Sequence, residues 1–264
     1  MPASRGLKTD ARRKRILDIL VRDGRLHVAH LAQELDATPV TIRSDLSALG
    51  KEGYLERITG GAIQTAKNVL YIDLQRRTQK RAPEKQQIAD CTAGLIKDGE
   101  TLFINSGTTT YYTAVALKRR KGLNIVTNSL LVANELGDVP GFRIILLGGE
   151  INTRYSFTYG ANALDQIRQY KADKTILSMD GIRADVGLST YHAEEAAVNR
   201  AMMERSGDTI IVADHSKIGY ESFSFVSELA AAGCLVTDIG GSDMLPIETL
   251  EAAGLRVIKV RQSI

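Results

Sequence analysis

Cysteine is scarce in this chain: Cys91 and Cys234 are the only two among 264 residues. Isolated thiols without paired spacing exclude a zinc knuckle and a disulfide framework, and both read as small core residues. The four histidines, His27, His30, His192 and His215, show no metal-ligand spacing either, so each reads as a surface or hydrogen-bonded side chain, and no metal or cofactor is expected. Long apolar runs are also missing. Nothing approaches the ~18 residues a membrane span needs, and the basic N-terminus leads into an amphipathic helix instead of a signal peptide's apolar segment. The expectation is a cytoplasmic protein with no membrane partner. Internal repeats and low-complexity tracts are absent.

The net charge of +3 is unevenly placed. Residues 1–65 carry eleven Lys and Arg against eight Asp and Glu, whereas residues 66–264 carry 23 of each, so the whole positive excess lies at one end. Arg5, Lys8, Arg12, Arg13, Lys14 and Arg15 face only Asp10 there. Such a run can be a solvated tail; beside a groove-reading module it is expected to lie along phosphates. The length suits two domains on a prior of ~100–200 residues each. The pattern divides the chain into a small domain over 1–65, a polar and basic linker over 66–83 that includes Gln75 to Arg81, and an α/β domain over 84–264.

In the first part, Ala11–Arg22 carries apolar residues at three- and four-residue steps and closes on Asp23-Gly24. Val28, Leu31, Ala32 and Leu35 form a second amphipathic helix. After the short turn Asp36-Ala37, Thr38 is a good N-cap and Pro39 fits the first helical position. Ile42, Leu46 and Leu49 then fall on one stripe, leaving Val40, Ser44, Ser47 and Lys51 opposite it, with Thr41 and Arg43 on the flanks. Tyr54–Ile58 reads as a strand and Gly60-Gly61 as the turn behind it. The same spacing fits an ordinary three-helix bundle with a solvated charged face. The capped basic third helix, the glycine turn that follows at once and the concentrated charge favour a winged helix-turn-helix that enters double-stranded DNA. Asp45 lies close to the apolar stripe, so it is expected to make a structural ion pair with a first-helix Arg instead of a base contact.

From Glu84 onward, strand candidates at Thr101–Asn105, Asn124–Thr127, Arg143–Leu147, Lys174–Met179, Thr209–Ala213, Cys234–Thr237 and Arg256–Val260 alternate with helical periods. Those occupy Glu84–Ile96, Thr109–Lys118, Leu130–Leu136, Ala161–Tyr170, Glu194–Arg205 and Asp243–Ala253. The alternation predicts a mostly parallel sheet covered by helices on both faces, with ligands at the carboxyl ends of its strands. Asn105, Ser106, Gly107, Thr108, Thr109 and Thr110 open a helix there, which suits either a phosphate site or a plain capped turn. Thr127-Asn128-Ser129, Gly148-Gly149-Glu150, Asp180-Gly181, Gly187 to Thr190 and Asp214 to Lys217 fall on the same edge. One ammonium, several hydroxyls and a few carboxylates around an anion loop suit a sugar phosphate.

The order Thr-Ile-Arg-x-Asp-Leu, Arg-x-x-Gly-Gly, Ser-Gly-Thr-Thr, Thr-Asn-Ser, Gly-Gly, Asp-Gly-Ile, Gly-Leu-Ser-Thr, Glu-Ala and Asp-x-Ser-Lys resembles the DeoR family of bacterial transcriptional regulators over nearly the whole chain. The resemblance implies a winged helix-turn-helix joined to a sensor domain similar in fold to ribose-5-phosphate isomerase. It implies a repressor of a sugar-catabolic operon, relieved by a phosphorylated sugar and assembled as a homodimer or homotetramer. Thr38, Thr41 and Arg43 match the recognition helix, and Arg57, Gly60 and Gly61 match the wing. Ser106 to Thr110 match the phosphate loop, with Asp180, Glu195 and Lys217 around the sugar; Asn105, Asn128, Ser129, Gly149, Gly181 and Ser189 complete the candidate effector set. Ser44 stands where many members have Arg, Asn105 where many have Asp, and His215 where Ser is common. The alternative is a sugar-phosphate isomerase with an accessory domain, since Asp180, Glu195 and Lys217 are able to supply acid–base chemistry. The wing, the capped helix and the basic N-terminus weigh against it, because an isomerase needs none of them.

Overall fold

Seven short runs of aliphatic and β-branched residues build the larger half of this molecule. The computed structural model describes residues 3–64, 77–240 and 245–260, which fall into two compact units, Met1–Arg77 and Thr78–Ile264.

The first unit runs Ala3–Asp23 (α1), Arg25–His27 (β1), Val28–Glu34 (α2), Pro39–Lys51 (α3), Leu55–Ile58 (β2) and Gly61–Gln64 (β3). Ile16, Leu20, Leu26, Leu31, Ile42, Leu46 and Leu55 form its core, all 2% exposed or less. The three strands pair antiparallel in the order β1-β3-β2, with Gly60 at the hairpin tip. The winged helix-turn-helix expected from the sequence is therefore present, with one strand, β1, that the periodicity did not announce. The first helix also begins eight residues earlier than its apolar period does. Residues 65–76, which include the expected linker's 66–76, lie outside the described residues.

The second unit opens with Ala82–Gly94 (α4), Thr101–Ile104 (β4), Thr108–Leu117 (α5), Asn124–Thr127 (β5), Leu130–Leu136 (α6) and Arg143–Leu146 (β6). A hairpin of Glu150–Asn152 (β7) and Phe157–Tyr159 (β8) follows, then Ala161–Arg168 (α7) and Ala172–Leu177 (β9). Gly181–Arg183 (β10) and Gly187–Thr190 (β11) lead to Ala193–Glu204 (α8) and Ser206–Val212 (β12). Ser224–Ser227 (β13), Cys234–Asp238 (β14), Leu245–Ala252 (α9) and Val257–Val260 (β15) complete it.

The main sheet runs β15-β14-β12-β9-β4-β5-β6, every pair parallel. It contains all seven strands read from the sequence. Its two faces carry separate apolar clusters, one around Phe103, Leu177 and Ile211, the other around Ile104, Ile176 and Val236. Burial on both faces explains why these strands read as continuous apolar runs. Buried Cys234 belongs to the second cluster and Cys91 packs against it; burial pushes both thiols up.

Chain order along this sheet reverses between β4 and β9: the connection from β4 proceeds to β5 on one side, while β9 lies on the other. An open α/β sheet presents its ligand crevice at such a switch point, outside the carboxyl ends of the strands. Two smaller sheets stand over that end, the antiparallel β10-β11-β13 and the β7-β8 hairpin.

Candidate functional site

In the first unit, Thr38 has extended backbone, and its Oγ1 accepts from the Thr41 N–H at 3.2 Å, so the cap inferred from the sequence starts α3. Ile42, Leu46 and Leu49 point inward, which leaves Pro39, Val40, Arg43, Ser44 and Lys51 exposed and Thr41 and Ser47 half-buried. Val40 is 72% exposed, an unusual placement for an aliphatic side chain that core packing does not explain. Behind α3, the exposed Arg57 guanidinium donates to the Arg43 carbonyl at 3.4 Å and ties the wing to the helix.

The two wing glycines separate. Gly60 is exposed at φ +79° with open space around it. Gly61 is buried in β3, where a Cβ would meet the Leu26 carbonyl oxygen at 1.7 Å. Its sequence position beside the tip suggests a DNA contact; the close approach of β1 and β3 gives a packing reason for glycine there as well.

Asp45 is 2% exposed and accepts from Arg12 Nε at 2.5 Å and Arg13 Nε at 3.2 Å. The ion pair with α1 expected from the sequence exists, and it corrects another expectation. Arg12 and Arg13, counted among groups lying along phosphates, turn inward because a buried carboxylate requires a counter-charge. No described residues of this chain gather three or more metal-ligating side chains.

In the second unit, β4 ends at Ile104 and the chain turns through Asn105-Ser106-Gly107 into α5. Asn105 is fully buried and fastens the switch point: its Nδ2 donates to the Ser178 carbonyl at 3.0 Å and its Oδ1 accepts from the Ser178 N–H at 2.9 Å. A Cβ on Gly107 would come within 2.7 Å of Ser178 Cβ, so the loop closes against the end of β9 only with glycine there. Thr110 Oγ1 donates back to the Asn105 and Gly107 carbonyls, both at 3.0 Å, which sets the turn. First-turn amides of α5 have no intrahelical acceptor, and this end of the helix favours negative charge.

Around the loop stands a polar network. Glu195 Oε1 accepts from Ser106 Oγ at 2.9 Å and its Oε2 from Thr190 Oγ1 at 2.9 Å. Thr190 Oγ1 also lies 3.1 Å from Asp180 Oδ2, so its one proton is shared between the two carboxylates; Asp180 Oδ2 accepts from the Tyr191 N–H at 3.1 Å, and Lys217 Nζ lies 3.3 Å from Asp180 Oδ1. The structure thus joins Ser106, Asp180, Glu195 and Lys217, four of the sequence-derived residues, through Thr190. Thr190 was outside that set, although it closes the Gly-Leu-Ser-Thr motif. Asn199, whose Oδ1 accepts from Asn105 at 3.0 Å, was missed as well, because no local signal links positions 94 residues apart.

The remaining candidates lie on the same edge with other contacts. Ser189 and Gly181 hold each other in the β10-β11 pairing: Ser189 Oγ donates to the Gly181 carbonyl at 3.2 Å and accepts from the Ser222 N–H at 2.9 Å. Ser129 caps α6, its Oγ accepting from the Val132 N–H at 3.3 Å. Buried Asn128 donates to the Thr158 carbonyl at 3.1 Å, and Gly149 packs so closely on the Tyr159 carbonyl that a Cβ would sit 2.3 Å from its oxygen. On α5, burial and the Glu135 carboxylate push the Tyr111 phenol up to about 12. His215, in the turn His215–Lys217, is held by Asp238 through Nδ1 at 2.6 Å.

A model of the DeoR-like helix-turn-helix domain matches residues 12–67, and one of the DeoR C terminal sensor domain matches residues 80–239. The glycerol-3-phosphate regulon repressor of Escherichia coli is 34% identical over 232 residues, 88% of this chain and 92% of that protein. The transcriptional repressor AccR of Agrobacterium fabrum is 34% identical, covering 88% of this chain and 90% of its own. The repressor GlcR of Bacillus subtilis is 31% identical over 84% of this chain and 86% of its own. Among solved structures, ribose 5-phosphate isomerase A of Methanocaldococcus jannaschii overlaps 50% of this chain and 52% of its own at 14% identity and a TM-score of 0.36, too distant a likeness to bear on function. With both parts of the chain matched in order, this protein belongs to the DeoR family of DNA-binding transcriptional regulators.

Proposed function

We propose that this chain represses a carbohydrate-catabolic operon in the cytoplasm and is released from a two-fold operator by a phosphorylated sugar, acting as a homodimer or homotetramer. Residues 1–65 read the groove, 84–264 sense the effector and 66–83 connect them. The observation that carries the reading is the meeting of the Ser106–Thr110 loop, at the switch point, with Asp180, Glu195 and Lys217 in one network. An anion at the α5 N-terminus with hydroxyl-binding carboxylates beside it fits a sugar phosphate.

Induction requires the effector to prefer the released state. Two contacts supply a route. Tyr112, on the helix that opens with the loop, donates to the Thr78 carbonyl at 3.3 Å, and Asp214, three residues before Lys217, lies 3.7 Å from Arg81 Nε. Thr78 and Arg81 stand where the chain enters the sensor unit, so effector-driven movement of α5 or the 214–217 turn pulls on the connection.

A thermal-shift screen against glycerol 3-phosphate, ribose 5-phosphate, glucose 6-phosphate, N-acetylglucosamine 6-phosphate and a hexitol phosphate tests the sensor. One of them is expected to raise the melting point by mass action and to release operator DNA in fluorescence anisotropy. Stabilisation by none overturns the effector reading, and turnover of ribose 5-phosphate or glucosamine 6-phosphate by pure protein overturns the regulatory one. At the other end, Arg43→Ala is expected to weaken operator binding by ~1–3 kcal/mol. Unchanged affinity and salt slope in the same titration would remove Arg43 from the DNA.

A further inference from the structure

The β7-β8 hairpin touches both the turn after β5 and the start of α8. Its turn and second strand are fastened just after β5: the Leu130 N–H donates to the Ser156 carbonyl at 3.0 Å and the Thr158 N–H to the Asn128 carbonyl at 2.8 Å. The same end of the hairpin also packs its rings against His192. The Tyr155 ring stands 4.6 Å from the His192 ring in edge-to-face geometry, and Phe157 lies 5.9 Å from it. Tyr191 closes a third side at 5.1 Å. The hairpin thus bridges the turn after β5 and the start of α8, the helix whose Glu195 accepts from Ser106.

His192 itself occupies a telling place. It follows Thr190 and Tyr191, which both contact Asp180, and it is the N-cap residue of α8, three positions before Glu195. Its Nε2 is shielded from solvent and has no hydrogen-bond partner. A buried polar atom left unpaired is costly, so this nitrogen is poised to gain from a partner the protein does not supply. Its cap side chain makes no bond to the helix, so helix capping does not account for its position.

We propose that His192 is a specificity-determining residue for the effector: its Nε2 hydrogen-bonds a hydroxyl of the sugar or polyol part, while Tyr155 and Tyr191 form the wall against which that part packs. The assignment rests on the reading of Ser106–Thr110 as the phosphate site. Because Nε2 is shielded, a hydroxyl reaches it only as the turn Thr153–Ser156 shifts, which ties the hairpin's position to the identity of the effector. Pockets that recognise small polar ligands combine such aromatic walls with a few placed polar groups.

The experiment compares inorganic phosphate with the best-binding organic phosphate of the panel, by calorimetry on the full-length chain. His192→Ala and Tyr155→Ala are expected to weaken the organic phosphate at least tenfold and to leave inorganic phosphate within about twofold. His192→Gln, which keeps a hydrogen-bonding group, is expected to fall between wild type and His192→Ala, and it decides the matter on the same criteria if the alanine variant fails to fold. Wild-type affinity for the organic phosphate in the His192 variants overturns the assignment alone. Equal losses for both ligands overturn it too, since they mark a structural role. A wild-type chain that binds neither ligand overturns the phosphate-site reading and the assignment with it.

Discussion

Asp45→Ala is expected to destabilise the DNA-binding unit by about 3 kcal/mol and to abolish operator binding at concentrations that saturate the wild type. Both carboxylate oxygens are engaged, one by Arg12 and one by Arg13, and the side chain is 3% exposed. Removing one partner of a buried pair costs ~3–5 kcal/mol because the other is left uncompensated. The Arg side chains are 22% and 30% exposed, so water relieves part of that cost and the lower end of the range applies. Against a typical domain stability of ~5–15 kcal/mol, the loss is large. It also releases α1 from α3, on which the groove-facing residues depend. Hydrogen exchange on the intact chain checks this: amides of residues 12–64 should lose protection while those of the main sheet keep theirs. Asp45→Asn, which keeps the acceptor, should cost less. Wild-type protection together with lost operator binding would place the carboxylate at the DNA and refute its structural role.

What was legible in the sequence follows from burial and length. Leu102, Phe103, Ile104, Ile176, Leu177, Ile210 and Ile211 are at most 1% exposed in strands covered on both sides, so their apolar runs stood out. The short strands gave no such signal. Arg25–His27 has a single buried residue and exists only because Gly61–Ile63 lies beside it. Gly181–Arg183 and Gly187–Thr190 are three and four residues long, too short for a period of two to declare itself, and glycine heads both. The same brevity hides Glu150–Asn152 and Phe157–Tyr159.

Within the site, hydroxyls and glycine clustered after a strand marked Ser106–Thr110. Thr190, Asn199 and His192 carry no comparable local mark. Their importance arises where the switch point brings the ends of β4 and β9 together and lays α8 across them. His192 shows the difference most clearly: read as a surface or hydrogen-bonded histidine, it is instead caged by rings with one nitrogen unpaired. Gly61 is the reverse case: beside the tip residue Gly60, it has a packing reason for glycine that only the pairing of β1 with β3 reveals.

Lys217→Ala is expected to leave operator affinity within about twofold and to raise the effector concentration needed for release by roughly 10–100-fold, the equivalent of one charged hydrogen bond of ~1.5–3 kcal/mol. Lys217 is 36% exposed and lies 3.3 Å from Asp180 Oδ1, so its ammonium faces the network without being consumed in a buried pair. Its removal acts twice in the same direction. An anionic effector loses a cation, and Asp180 loses the charge that offsets its repulsion of that anion. A double-mutant cycle with Asp180→Asn separates the two: neutralising Asp180 in the Lys217→Ala background should recover part of the affinity, and the non-additive part measures their coupling. Lys217→Arg should retain more response than Lys217→Ala, though less than wild type, because a planar guanidinium does not reproduce the position of an ammonium. By linkage, the effector's preference for the released state equals the operator's disfavour of the bound effector. A variant that binds effector weakly but keeps the full coupling has lost only a ligand contact. One that binds normally and fails to release DNA would show that Lys217 acts in transmission instead, and an unaltered response would remove it from both.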